Sequence, residues 1–184
     1  MKPKKSCPFS SLMLMLCGLC VPMCACSSSD NLNNTPVSTF DLNRYLGTWY
    51  ELARFDHSFE RGLSACTAHY SMREDGLVRV LNSGIKNGEP KTSEGKAKTT
   101  ETVGLLRVSF FGPFYSDYRV LMLSEDYSYA LVGSGSDKYL WILSRTPSLP
   151  APTIDAILHE ATARGYNTDA LIWVDQTPNL PTSE

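Results

Sequence analysis

The sequence predicts a mostly β protein: an eight-stranded antiparallel up-and-down barrel with one C-terminal α-helix and a short final strand. Three observations carry that reading. Between residues 47 and 144 apolar residues fall in short alternating runs, separated by turn signals and free of helical period. After Pro150 and Pro152 the period changes once, with Ile154, Ile157, Leu158 and Ala161 at helical spacing until Gly165. The first run opens on Gly47-Thr48-Trp49-Tyr50, where glycine admits a close backbone and Trp49 is large enough to plug one end of a closed sheet.

In chain order, Asp41 to Leu46 reads as a helical turn closing the barrel end, with Leu42, Tyr45 and Leu46 on one side. Strands follow at Thr48 to Phe55, Cys66 to Met72, Leu77 to Ser83, Lys91 to Thr99, Leu105 to Phe110, Tyr118 to Leu123, Tyr127 to Val132 and Tyr139 to Ser144. Glu74-Asp75-Gly76 and Asn87-Gly88 supply tight turns. After the helix, Ala170 to Val174 adds a ninth strand. Even spacing without intervening helices favours a closed barrel, which leaves no exposed edge. Alternation assigns the inner face to Cys66, Ala68 and Tyr70, to Val78, Val80 and Asn82, to Leu106, Val108 and Phe110, to Tyr118, Val120 and Met122, and to Trp141.

The N-terminus has the charge order of an export signal: Lys2, Lys4 and Lys5 precede an apolar run from Leu12 to Val21, too short to span a bilayer comfortably. Residues 1–25 read as a signal peptide, 26–38 as a lipidated flexible tether, 39–176 as the barrel domain and 177–184 as a flexible tail. Met23-Cys24-Ala25-Cys26 has the form of a lipidation site with Cys26 as first mature residue; Cys20 and Cys24 are the alternatives. Three of the 17 basic residues precede Cys26, leaving 14 against 19 acidic ones, a net charge of −5. That balance excludes a nucleic-acid partner and leaves membrane attachment to the lipid anchor or an apolar patch.

Catalytic and metal signatures are absent. Gly133-Ser134-Gly135-Ser136 has the wrong spacing for a nucleophile elbow, and His57, His69 and His159 stand too far apart to pair as ligands. No cofactor is implied. Five of six cysteines lie within the first 26 residues, so Cys66 reads as a lone, small, buried apolar residue. The inner faces listed above hold no paired acid and base. Phe111, Phe114 and Tyr115 read as an exposed apolar patch suited to a homodimer or a membrane contact.

The segments Asp41 to Phe55, Val108 to Tyr115 and Tyr139 to Pro147, with Ser116-Asp117-Tyr118 and Leu143-Ser144-Arg145, resemble the lipocalins, and among them the bacterial outer-membrane lipoproteins of the apolipoprotein D-like subgroup. The resemblance implies a barrel that binds rather than transforms its ligand, lipid-anchored in the outer membrane of a Gram-negative envelope; a lipid-modifying or isomerising enzyme on the same fold, or a scaffold whose barrel is filled by its own side chains, are the alternatives. A fatty acid or lysophospholipid is the implied cargo. Tyr70, Asn82, Tyr118 and Trp141 are the implied pocket residues, to which alternation adds Phe110; the loop Asp56 to Leu63 flanks the mouth, with Phe59 and Leu63 in a lid. Gly47, Trp49, Asp117 and Arg145 are signature residues of the closed end, the arginine packing over the tryptophan. Family members also tie strand B to the C-terminal tail through a cysteine, but residues 174–184 offer Cys66 no partner.

Overall fold

The computed structural model describes residues 32–179. The signal segment, Cys26 and the last five residues of the tail lie outside them. Strands β1 (Gly47–Phe55), β2 (Ser64–Met72), β3 (Val78–Lys86), β4 (Glu89–Thr99), β5 (Leu105–Phe111), β6 (Phe114–Leu123), β7 (Tyr129–Gly133) and β8 (Leu140–Ser144) pair antiparallel in sequence order. The closure is made by β1, which pairs with both β8 and β2. A four-residue helix, α1 (Leu42–Tyr45), precedes the barrel, and α2 (Ala151–Ala163) with β9 (Leu171–Trp173) follows it. The connections β1–β2, β3–β4, β5–β6 and β7–β8 share one end, the mouth; α1 and the other connections share the opposite end, the floor.

Two apolar clusters result from the alternation. The inner one joins Trp49, Ala68, Tyr70, Val78, Val80, Ala97, Leu106, Val120, Val132 and Leu143. The outer one, with Leu52, Leu121, Leu131, Leu140, Ile142, Ile157 and Ala161, seats α2 against β1 and β6 to β8. Met122, placed inside by strict alternation, packs with the outer cluster instead. A register shift between Val120 and Met122 turns the strand there, so Leu123 takes the inner place.

The segment read as a tether to Ser38 is docked from residue 32 onward. Asn33 N–H donates to Arg164 O and Val37 N–H to Val120 O, each at 2.8 Å, while Arg164 Nη1 donates to Thr35 O at 2.8 Å. At the other terminus β1 and β2 part beyond Tyr50 and Thr67, and β9 takes the vacated edge by pairing with Ala53 to Phe55. Gln176 fills the gap between the two strands, its Nε2 donating to Glu51 O at 2.7 Å and Cys66 O at 2.9 Å. Residues 177–179 form a 3-10 turn, and Asn179 Nδ2 donates to Ala65 O at 3.3 Å. Side-chain amides thus join the tail to β2.

Candidate functional site

The floor is built around Trp49, fully buried, whose Nε1 donates to Tyr45 O at 2.8 Å. Arg145 lies over the indole with its Cζ 3.9 Å from the ring centroid. Its guanidinium also donates to Thr48 O, Arg44 O and Leu46 O at 2.8 Å each. Those last two carbonyls end α1, a helix too short to persist alone, so the arginine caps it. Gly47 has φ +95°, and a Cβ there would meet Arg145 Nη1 at 3.3 Å, which explains glycine at this position.

Above the floor, Tyr118 Oη lies 2.7 Å from Tyr45 Oη and 2.9 Å from Tyr70 Oη. Burial raises all three phenols above their ordinary range, so they stay neutral donors and acceptors. Higher on the wall, Asn82 sits across from Ala68 and Ser93, on the face of Val80. Phe110 packs against the inner cluster and lies over Gly95, where an added Cβ would come within 2.8 Å of its ring. Asp117 departs from its expected place at the closed end. It stands on the outer wall, paired with Arg119 at 2.8 Å and Arg107 at 3.2 Å, beside Gly135 of the β7–β8 connection. Neighbouring Tyr118 takes the inner face, so alternation turns Asp117 outward.

The mouth holds a buried ionic cluster that inner-face alternation, applied to β2, β3, β5, β6 and β8, does not reveal. Glu51 and Arg54 stand opposite Leu143 and Trp141, both inner-face residues. Arg54, 2 % exposed, donates from Nη1 to Glu51 Oε1 at 2.7 Å and from Nη2 to Glu60 O at 2.7 Å, fastening the β1–β2 loop over the barrel. Glu60 Oε2 accepts from Trp141 Nε1 at 3.2 Å and lies 3.3 Å from His57 Nε2. The His57 ring stacks on Phe59, centroids 4.1 Å apart, and both its nitrogens lack a hydrogen-bond partner, as does Arg54 Nε. His57 and Glu60 bring a base and an acid together at the mouth, on the β1–β2 loop and outside the inner faces assigned by alternation. The register shift between Glu51 and Ala53 brings Arg54 to the inner face, from which it holds that loop.

Burial, reinforced by Glu60, raises the Glu51 carboxyl, and burial likewise raises Glu60 against the Trp141 hydrogen bond and Arg54. Burial and then Arg54 hold His57 down to about 4, so it is neutral. Cys66 is buried 3.9 Å from Arg54 Nη1, and burial pushes its thiol up to about 12, which leaves it without nucleophilic character at neutral pH.

Residues 40–176 match the family model described as a lipocalin-like domain. The chain is 52% identical over 146 residues to "Outer membrane lipoprotein Blc" of Vibrio cholerae, covering 77% of this chain and 85% of the relative. It is 49% identical to the Escherichia coli K12 protein of the same name, covering 83% and 89%. Bovine apolipoprotein D is 35% identical, covering 78% and 80%. Among solved structures, the cockroach allergen Per a 4 superposes with TM-score 0.65 at 22% identity, covering 82% of this chain and 97% of that one, a likeness of fold. On the barrel, its floor and these matches together, the chain belongs to the lipocalin-like domain family.

Proposed function

We propose that the protein holds a fatty acid or lysophospholipid in its barrel and stores or carries it at the outer membrane, to which a lipid on Cys26 attaches it. The observation that carries this reading is accessibility on an inward face. Val108, Phe110, Tyr118 and Trp141 pack on the inner cluster yet are only partly buried, and Ser93, inward beside Asn82, is exposed. Inward side chains stay accessible where the interior retains space. Apolar walls suit an acyl chain, and the phenols and the mouth cluster offer polar partners to its head group. Burying a 16-carbon chain at about 0.8 kcal/mol per methylene provides roughly 12 kcal/mol against ordering and association costs, so micromolar binding is within reach.

Mass spectrometry of organic extracts from the purified protein, followed by titration of the delipidated protein with both lipid classes, tests the reading through tryptophan fluorescence. Trp141→Ala is expected to weaken saturable binding about tenfold or more while the protein stays folded, since an aromatic anchor of this size contributes about 1.5–3 kcal/mol. Absence of extracted lipid and of binding by either class would overturn it. His57 beside Glu60 is the observation favouring catalysis, and release of fatty acid from added lysophospholipid would shift the reading to an enzyme. The inert thiol and the want of a second nucleophile there support binding instead.

A further inference from the structure

The chain enters its domain at the mouth. Leu32 packs into the cluster under α2, and Asn33 is fixed to Arg164 at the C-terminal end of that helix. Asn34 Nδ2 then donates to Ser134 O at 3.4 Å in the β7–β8 connection, one of the four connections at the open end. From there the segment descends the outer wall to Val37, beside Val120, and to Phe40, which packs against the inner cluster near α1. From Cys26 to Leu32 there are only six residue steps, about 20 Å at full extension. An acyl anchor on Cys26 is therefore held close to the rim.

The same end carries exposed aromatic rings. Phe111 and Phe114 face each other across the tip of the β5–β6 hairpin at 81 % and 78 % exposure. Tyr115 is withdrawn from this patch, its ring covered by Lys98 and Lys96 amines at 4.8 and 5.9 Å. Phe59 lies exposed on the β1–β2 loop, and Trp173 on β9 pairs with the mouth-side half of β1. Among the described residues, no Phe, Tyr or Trp ring on the floor is exposed. The strand carrying Phe114 is hydrogen-bonded to β7, whose following connection meets Asn34, so rings and chain entry share one side of the rim.

We propose that this rim docks on a lipid bilayer, with Phe111 and Phe114 seated in the leaflet that holds the Cys26 acyl chains and the barrel mouth turned to the membrane. The inference rests on the lipid anchor proposed above and adds an orientation to it. Phenylalanine at a bilayer surface removes apolar area from water, whereas a mature chain of net charge −5 gains nothing there from anionic lipid. An amphiphile then passes between bilayer and barrel without crossing free water.

The test uses the mature lipidated protein in vesicles of phosphatidylethanolamine and phosphatidylglycerol, recovered by flotation. A fluorescent label is placed at Pro113→Cys, on the rim, or at Glu125→Cys, on the floor side, each with Cys66→Ala. Spin-labelled phospholipid is expected to quench the Pro113→Cys label several-fold more than the Glu125→Cys label, unchanged by added salt. Flotation with equal quenching, or with stronger quenching at the floor, overturns the orientation while leaving the anchor intact. Failure to float removes the anchor and the proposal with it. Shielding of the Pro113→Cys label that rises with protein concentration in lipid-free solution assigns the rim to a second copy and also overturns the proposal.

Discussion

Arg145 joins three parts of the floor: it covers the Trp49 ring, caps α1 and occupies the space that Gly47 leaves open. Arg145→Ala should lower stability by about 2–3 kcal/mol, the sum of a partly desolvated cation-π contact and its carbonyl hydrogen bonds. Urea unfolding measures this, with lipid affinity unaltered in the folded variant. The mouth cluster makes a second prediction, about pH. Glu51 ionises at about 8 in the folded state against 4.5 in the open chain, mainly through burial. Its contribution is thus fullest below about 4.5 and is lost as pH rises towards 8. His57, held down by burial, acts oppositely, its contribution being lost as pH falls from 6.5 to about 4. Unfolding midpoints of Glu51→Gln across this range should therefore show a weaker alkaline decline, the remainder belonging to Glu60, and keep the acid one. Glu51 carries a sequence signal, alternation two residues on from Trp49, although β1 lies outside the strands whose inner faces were assigned from the sequence. Arg54 carries none, because a one-residue irregularity inverts its face and leaves no mark in the composition.

At the scale of elements, the strands were the most readable part, since alternation and hairpin turns are local signals. The short seam elements were less so. The residues of the 3-10 turn at 177–179 read as part of a loose tail because proline and polar side chains look solvated until the gap between β1 and β2 supplies carbonyls for them. Gln176 has no apolar period to announce it, yet it is buried and bonded to two strands. Gln176→Ala should cost about 1–3 kcal/mol, because two buried carbonyls lose a shared donor. Hydrogen exchange is expected to rise first around Glu51 and Cys66, and a uniform rise across the barrel would contradict this local role. The β1–β2 loop belongs to the same class: Arg54 and Glu60 fix a segment whose residues, read in order, are mostly polar.

For the whole molecule, a resemblance spread over three distant segments made the family readable, whereas the orientation proposed at the membrane rests on where residues 32–37 lie, which no periodicity encodes. Removal of residues 171–184 should make the protein aggregate, visible by light scattering, because the edge of β1 from Ala53 to Phe55 loses β9. The position of that seam has a consequence in time. β1 is among the first parts of the domain to be synthesised, and the segment that seals it is among the last. A chain exported N-terminus first presents a bare strand edge throughout its passage, until residues 171–176 emerge. Completion of translocation is then the step that seals this seam, and a stalled or nicked chain keeps an open, adhesive edge at Ala53 to Phe55.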